Sequence, residues 1–434
     1  MSIISQVLFA LALGVAAYLF AKKVGQIRKN IGLGRSLDRS DNTKARWNNM
    51  LRVALGQSKM KARPVPALLH LVVYASFLII NIEVLEIVLD GLLGKHRLFQ
   101  PLLGSTYDFI IGFFEILAVL TIVACAVFWI RRNVLKIGRF QSPEMKGWPF
   151  KDANAILYIE ITLMTALLCM NAIEGNMEGH HSFLISQHLS PLFAGWSPDA
   201  LHYGERIFWW LHILGIFAFL NYLPYSKHFH IILAFPNTYY ANLKPKGQFE
   251  NNAAVTKEVS LMMDPNADPF AAPAPDADAP VERFGAKDAM DLSWVNLLNA
   301  YTCTECGRCT SNCPANLTGK KLSPRKVMMD TRDRIEEIGA NAAANGGTFK
   351  EDGKSLFGTY ITAEEVWACT SCNACTEACP VDIDPLNIIM QLRSYATMEE
   401  SSAPTELNTM MSNIENNGAP WPFSQMDRAN WINE

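Results

Sequence analysis

Five apolar stretches constrain the fold of this chain more than any other feature of its sequence. Each is long enough to cross the hydrocarbon core of a bilayer, which takes about 20 helical residues. A bilayer offers no water to unpaired backbone groups, so such segments form helices. The expected fold is therefore mainly α-helical, with a five-helix transmembrane bundle in the N-terminal half. The predicted spans cover residues 3–21, 67–89, 108–130, 153–173 and 205–223, the last continuing as a helix to about 235.

The first apolar stretch has a rival interpretation as a signal peptide. It has no basic segment before it and no small-residue cleavage motif, and Lys22 and Lys23 follow it instead of preceding it. We therefore interpret it as a membrane span.

Lysine and arginine are unequally distributed between the loops. Residues 22–66 contain twelve and residues 131–152 contain six, whereas residues 91–107 contain two and residues 174–204 none. Basic loops are retained on the cytoplasmic side of a membrane. We therefore expect a multi-pass protein of the bacterial cytoplasmic membrane, with its N-terminus outside and its C-terminal half in the cytoplasm.

The composition divides the chain into four predicted parts. Residues 1–241 form the transmembrane domain, and residues 242–290, rich in Pro, Ala and Asp, are typical of a linker. A compact domain is expected over residues 291–395, followed by a polar tail over residues 396–434.

Eight of the ten cysteines lie in two runs with the same C-x2-C-x2-C-x3-C-P spacing, beginning at Cys303 and at Cys369. In two-cluster bacterial ferredoxins, three cysteines of such a run hold one [4Fe–4S] cluster and the fourth reaches the other cluster. We therefore expect two clusters with exchanged fourth ligands. One is held by Cys303, Cys306, Cys309 and Cys379, and the other by Cys369, Cys372, Cys375 and Cys313.

Zinc is the alternative ligand for C-x2-C pairs. Zinc sites use two pairs, whereas each run here has three closely spaced cysteines and a Cys-Pro. A disulfide framework also fits poorly, because the clustering indicates metal ligation and the other two cysteines, Cys125 and Cys169, lie in apolar spans. Iron–sulfur chemistry is preferred, and no nucleic-acid partner is expected.

Two histidines are placed to share a haem b. His70 lies near the cytoplasmic end of the second span, and His230 lies on the helical continuation of the fifth. Antiparallel helices would bring them to one depth, as two axial ligands of one haem require. His228, two residues from His230, is expected to point to another face.

His212 has two interpretations. It precedes His230 by 18 residues, which is five helical turns and about 27 Å on the same face. The second span offers Ile80, and no histidine, at the matching depth. His212 therefore either ligates a second haem, with a histidine of the outer loop folding back to it, or forms hydrogen bonds in a quinone pocket. The loop candidates are His180, His181 and His202.

Four acidic residues lie at membrane depth, where ionisable groups are costly and tend to be functional. A quinol releases two protons with its two electrons, and a buried carboxyl group could accept them. Each acid alone could equally be a protonated, hydrogen-bonded helix contact. The relay candidates are Glu83, Glu86, Glu115 and Glu160.

The run RIFWWLHILGIFAFLNYLPYSKHFHIILAFPNTYY resembles the last membrane helix of the respiratory nitrate reductase gamma-subunit family of di-haem cytochromes b, which includes cytochrome b subunits of heterodisulfide reductases. The resemblance places His212, the turn from Pro224 to Lys227, and His230 at the family's ligand, turn and second ligand. The family's ligand on the cytoplasmic side of the second span matches His70, whereas its other ligand falls on Ile80. The resemblance implies a cytochrome b domain and leaves the outer haem without one ligand.

The segments DLSWVNLLNAYTCTECGRCTSNCPA and SPRKV resemble the ferredoxin portion of heterodisulfide reductase and glycolate oxidase iron–sulfur subunits. In that family the substrate chemistry lies in a further domain with paired cysteines, CCG, and this sequence has no Cys-Cys pair. The resemblance implies a cytochrome b fused to a two-cluster ferredoxin. We expect electron transfer between a quinone, menaquinone first, and a cytoplasmic redox subunit that could carry the CCG domain. The alternative is a membrane-anchored ferredoxin without a quinone site.

Overall fold

The structure, a computed structural model, describes residues 3–178, 183–249, 251–266 and 283–434. These residues are mostly helical and contain no β-strand, which confirms the predicted fold class. Their α-helices of eight or more residues are α1 (Ile3–Ile31), α2 (Thr43–Met50), α3 (Pro64–Leu93), α4 (Ser105–Asn133), α5 (Trp148–Glu178), α6 (Pro198–Tyr222), α7 (His230–Tyr239), α8 (Ala253–Met263), α9 (Trp294–Thr302), α10 (Pro324–Ala344), α11 (Pro385–Met398) and α12 (Thr405–Asn417).

Five of these helices, α1, α3, α4, α5 and α6, are long and apolar enough to cross a membrane. They correspond to the five predicted spans and extend several residues beyond them at the ends. Neighbours in the ring are α1 and α3, α3 and α4, α4 and α5, α5 and α6, and α6 with α1. Much of the outer face of α1 is exposed and apolar, as a surface in contact with lipid requires.

Close packing on the inside of α1 depends on small residues of its neighbours. The Phe9 ring is fully buried and lies 5.6 Å from the Trp209 ring of α6. A Cβ at Gly91 of α3 would approach this ring to 2.6 Å, so glycine is what allows α1 and α3 to meet.

The cysteine-bearing region, residues 283–398, is built on α9, α10 and α11, with both cysteine runs in the connecting segments. Its core includes fully buried apolar residues from all three helices. Ser323 caps α10 by accepting a hydrogen bond from the Lys326 N–H. The core members Leu297, Ile335, Ile388 and Leu392 are each 0% exposed.

This region packs against one end of the bundle, which we call the near end, and α1 contributes most visibly to the contact. The Asn30 side chain, at the end of α1, donates a hydrogen bond to the Tyr301 hydroxyl of α9 at 2.9 Å. A Cβ at Gly339 of α10 would lie 2.1 Å from the Asn30 Oδ1 atom, so the two helices touch there. The extension of α1 beyond its predicted span therefore serves to dock the cysteine-bearing region.

The predicted linker and tail also contain helices. Helix α8 lies within the stretch expected to be a linker, and the Asn252 side chain donates to the Phe284 carbonyl at 2.6 Å. Residues 267–282, which include most of the Pro/Ala/Asp-rich sequence, lie outside the described residues. The tail forms α12 and a 3-10 turn over Gln425–Ile432.

Candidate functional site

The first cysteine run wraps a pocket immediately after α9. Four cysteines, three from this run and one from the second, line it together. Burial first, and then the neighbouring thiols, raise the pKa of Cys309 well above its usual value. The lining cysteines are Cys303, Cys306, Cys309 and Cys379.

The second cysteine run gathers around the fourth cysteine of the first. Burial raises the pKa of the Cys369 thiol, and the nearby thiols of Cys313 and Cys372 act in the same direction. Burial raises the pKa of Cys375 to about 12, with Cys369 again among the groups that act on it. The fold therefore brings Cys313 and Cys379 each to the other run, as the exchanged-ligand arrangement requires.

The thiols fit an iron–sulfur cluster better than a single ion. All ten cysteines are free of disulfides. Among the described residues, no three His, Cys, Asp or Glu side chains are grouped so that they could hold one metal ion. A zinc ion keeps its sulfur ligands about 2.3 Å away and so would draw them together, whereas a cubane spreads four thiolates over its corners.

Backbone N–H groups point at two of these sulfurs. The Ser371 N–H lies 3.4 Å from the Cys369 Sγ atom, and the Ile383 N–H lies 3.3 Å from the Cys379 Sγ atom. Hydrogen bonds to thiolate sulfur raise the reduction potential of a cluster by stabilising the extra negative charge. Each predicted cluster has at least one such donor.

The two cysteine groups differ in their surroundings. The loop after Cys303 faces the near end of the bundle, where Gly307 lies against the Arg139 backbone. Cys372, in the second run, is exposed to solvent. The first group therefore adjoins the membrane helices, and the second has one cysteine open to solvent.

His70 and His230 meet at the near end of the bundle, as predicted. Their ring centroids are 6.3 Å apart and the ring planes differ by 43°. An imidazole nitrogen lies about 2 Å from a metal that it binds, so two rings on opposite sides of one metal have centroids roughly 6 Å apart. The observed separation fits two axial ligands of one iron.

The hydrogen bonds of both rings favour the same tautomer. The His70 Nδ1 atom lies 3.0 Å from the Gln57 Oε1 atom, and the His230 Nδ1 atom lies 3.0 Å from the Lys227 carbonyl oxygen. Both partners are acceptors, so each Nδ1 carries the proton and each Nε2 keeps a free lone pair. Histidines that bind metals are held in this way.

His228 is close to this pair but packs differently. Its ring lies 5.6 Å from the His230 ring at 85° and 5.4 Å from the Phe219 ring. Burial lowers the pKa of His228 to about 3, and His230 and His70 act in the same direction.

His212 is buried within the bundle, and its Nδ1 atom lies 2.9 Å from the Leu163 carbonyl oxygen of α5. Among the described residues its ring contacts no other histidine ring. The His202 ring contacts Tyr203 instead, at 5.9 Å. The other two loop histidines predicted as partners, His180 and His181, lie outside the described residues. The role of His212 as a haem ligand stays a prediction.

Two of the four membrane acids hold loops at the end of the bundle opposite the near end. Glu86 accepts from the Tyr107 hydroxyl and from the Phe99 N–H, both at 2.8 Å. Glu115 accepts from the Asn171 side chain at 3.1 Å and from the Ile185 N–H at 2.7 Å. These carboxylates have structural partners.

Within the described part of the chain, the other two acids, Glu83 and Glu160, do not hold loops through their carboxylates. Glu83 is 5% exposed, and its Oε2 atom is buried without a hydrogen-bond partner. Glu160 lies on α5 and is only partly buried. A buried carboxyl oxygen without a partner, as in Glu83, is normally satisfied by a ligand or water.

A buried ion pair between Lys227 and Glu305 was not predictable from the sequence. The Lys227 ammonium contacts the Glu305 carboxylate and donates to the Pro149 carbonyl at 2.7 Å. The Lys227 carbonyl orients His230, and Glu305 lies between Cys303 and Cys306. The turn containing Lys227 is visible in the sequence, but its partner lies 78 residues away.

Comparison with known proteins supports the iron–sulfur assignment. Residues 302–383 match the family model described as a 4Fe-4S dicluster domain. The whole chain is 28% identical to the probable iron-sulfur-binding oxidoreductase FadF of Bacillus subtilis and covers 61% of it. Over 92% of its length it is 24% identical to the EtfAB:quinone oxidoreductase of Syntrophomonas wolfei, covering 55% of that protein.

Shorter matches point the same way. Over 36% of its length the chain is 30% identical to a probable membrane-anchored ferredoxin of Chromohalobacter salexigens, covering 25% of it. Over 25% of its length it is 29% identical to one polypeptide of a CoB-CoM heterodisulfide reductase of Methanosarcina acetivorans, covering 52% of it. No solved structure matches the chain. The chain thus spans about three fifths of the first two relatives, and it is an iron–sulfur electron-transfer protein with membrane-spanning helices.

Proposed function

We propose that this chain is a membrane-bound electron-transfer subunit. It passes electrons between a quinone pool, menaquinone first, and a cytoplasmic partner, through haem b and two [4Fe–4S] clusters. The observation that carries the proposal is the His70–His230 pair, with 6.3 Å between ring centroids and both Nδ1 atoms bonded to oxygen acceptors. Haem b bound there would supply a one-electron carrier.

The position of this pair supports a continuous path. The turn Ser58–Ala62 and the preceding Gln57 connect the two sites, because Gln57 bonds to His70 while the Lys59 carbonyl accepts from Arg308 at 3.2 Å. Arg308 lies in the first cysteine run, directly before Cys309. Redox centres exchange electrons fastest when they are close. Here one short turn contacts both the histidine pair and the first cysteine run.

A quinone within the bundle is supported by polar atoms without partners and by one relative. The Tyr74 hydroxyl of α3, the Thr121 hydroxyl of α4 and the Glu83 Oε2 atom are buried without hydrogen bonds. Such groups are normally satisfied by a ligand or water. The EtfAB:quinone oxidoreductase relative has quinone in its printed name.

The chemistry balances with these groups. A quinol loses two electrons and two protons on becoming a quinone. Haem b held by His70 and His230 would accept the electrons one at a time and pass them towards the clusters. We assign Glu83 as the acceptor of both protons in turn, releasing the first outward before it accepts the second. Glu86 and Glu115 instead hold loops, and Glu160 remains a candidate on α5.

The cytoplasmic partner would dock at the second cysteine run, where Cys372 is exposed. We propose a redox subunit there, which could carry the paired-cysteine CCG domain that this sequence lacks. The basic loops favour the cytoplasmic side of the bacterial inner membrane for this region, with the N-terminus outside.

The alternative is a membrane-anchored ferredoxin that connects larger complexes without a quinone site, favoured by the relative of that description. Counting metals separates the two proposals. The purified chain should hold about eight non-haem irons and at least one haem b with the optical spectrum of two histidine ligands. A preparation with full iron and no haem would overturn the quinone-reactive version and favour the alternative.

A further inference from the structure

A group of arginines without acidic partners lies at the near end of the bundle, between the histidine pair and the first cysteine run. Arg63 caps the start of α3, Arg139 follows α4, and Arg308 lies in the cysteine loop. Within the described residues none of the three forms a salt bridge. Buried or half-buried cations are stable when an anion accompanies them.

The hydrogen bonds of these arginines leave most of their donors free. A guanidinium has five N–H donors. Arg63 donates to the Ser311 hydroxyl at 2.5 Å, and the Arg139 Nε atom is buried without a partner. Arg308 is 5% exposed and donates only to the Lys59 carbonyl at 3.2 Å and the Met60 sulfur at 3.3 Å. The group is built to bind an anion.

The three charges act on one another. Burial first, and then the charge of Arg63, lower the pKa of Arg139 to about 10. Like charges held together in this way favour an accompanying anion, and no carboxylate of the described residues pairs with them.

The position of the group identifies the anion. Arg63 precedes His70 by seven residues, two turns of helix and about 10 Å. Arg308 donates to the Lys59 carbonyl, two residues after the Gln57 whose side chain bonds His70. A haem b carries two propionate carboxylates on one edge, and the arginine fork matches a carboxylate in two parallel hydrogen bonds.

We propose that Arg63, Arg139 and Arg308 bind the propionate carboxylates of a haem held by His70 and His230. This inference rests on the haem of the proposed function and deepens it. It places the propionate edge towards the first cysteine run, so that the arginines lie between the two redox centres. The competing role for the same charges is to neutralise the iron–sulfur cluster alone.

The test is a redox titration of the purified full-length chain and of Arg63→Gln. Loss of a cation beside the propionates stabilises the ferric form, and we expect the ferric-to-ferrous equilibrium to shift about tenfold, which is about 59 mV to lower potential for one electron. Arg139→Gln should act in the same direction. Iron content should stay at the wild-type value, which shows that the fold and the clusters persist.

Arg393→Gln is the matched control. Arg393 is half-buried and donates to the Cys369 carbonyl in the second run, so its loss removes the same charge away from the histidines. The haem potential should not move in this variant. Arg63→Lys keeps the charge and loses the fork, so its haem potential should stay near that of the wild type.

A second measurement separates contact from long-range charge. Haem-depleted protein is reconstituted with haem or with haem dimethyl ester, whose propionates are esterified. The wild type should prefer haem at least tenfold, and Arg63→Gln should lose most of that preference. This inference alone would be overturned if the wild type contains haem but does not prefer it to the dimethyl ester, and if the haem potential of Arg63→Gln equals that of the wild type. A cluster shift with an unmoved haem would overturn it in favour of cluster neutralisation, whereas a wild type without haem would overturn the proposed function and this inference together.

Discussion

At the scale of single residues, the histidine pair was predictable, but the groups that hold it were not. His70 and His230 were recognisable because antiparallel spans bring their ends to one depth, and the structure places the rings 6.3 Å apart. The acceptors of their Nδ1 protons, Gln57 and the Lys227 carbonyl, come from turns on two different segments. The direction in which a side chain in a turn points depends on tertiary packing, and the hydrophobic periodicity of the sequence carries no information about it.

Gln57 offers a direct test of the histidine geometry. Gln57→Leu removes the acceptor for the His70 Nδ1 proton, and loss of such a partner lowers metal-site affinity about 10- to 100-fold. We expect a matching fall in retained haem, measured by haem absorbance per protein during dilution. Gln57→Glu keeps an acceptor oxygen and should retain haem, while equal retention in the leucine variant would contradict the assigned tautomer.

The crossed cysteine ligands can be tested in the same way. Cys379→Ala should damage the cluster built on the first run, because Cys379 lines the pocket of Cys303, Cys306 and Cys309. Cys313→Ala should damage the other cluster. Electron paramagnetic resonance of the two reduced variants should show complementary losses, one cluster signal remaining in each. If Cys379→Ala instead removes the signal that Cys375→Ala removes, the runs bind their own fourth cysteines.

At the scale of elements, the five spans were predictable to within several residues, because hydrophobicity over a bilayer's thickness is a strong signal. Their extensions were not, because the added turns are polar and are stabilised by docking. Asn30 at the end of α1 bonds to Tyr301 and lies against Gly339. Helix α8 was missed for a similar reason, since its surroundings have the composition of a linker.

One docking contact between the bundle and the cysteine-bearing region has a defined pH dependence. Arg325 is fully buried and lies 2.7 Å from the Glu144 carboxylate. Burial alone would raise the pKa of Glu144, but hydrogen bonds from Ser323 and Arg325 outweigh it and lower the pKa from its ordinary value. A carboxyl group with a lowered folded-state pKa stabilises the fold above its unfolded-state pKa, and the effect is lost as the pH falls through the folded-state pKa.

We therefore expect Glu144→Gln to destabilise the protein by about 3 kcal/mol at pH 7. The difference from the wild type should shrink below about pH 4. Thermal unfolding followed by tryptophan fluorescence measures both. Glu377→Gln is the control, because Glu377 forms an exposed pair with Lys246 at 3.4 Å and should cost less than about 1 kcal/mol. A difference that persists unchanged in acid would refute the ion-pair explanation.

At the scale of the whole molecule, the chain joins a membrane helix bundle to an iron–sulfur region through a packed interface. The arrangement could be anticipated from the sequence order of spans and cysteines. The contact surface could not, since it joins residues far apart in sequence, such as Lys227 and Glu305. That surface places the histidine pair beside the first cysteine group and leaves Cys372 of the second group exposed to solvent.

The central claim is that electrons from a quinol reach the clusters through the haem held by His70 and His230. The direct measurement is anaerobic stopped-flow mixing of the purified chain with a short-chain menaquinol, following haem and cluster absorbance together. The wild type should show haem reduction before cluster bleaching. His230→Leu should keep its iron, lose the haem band and reduce its clusters at least 100-fold more slowly. Cluster reduction at the wild-type rate in His230→Leu would contradict the account.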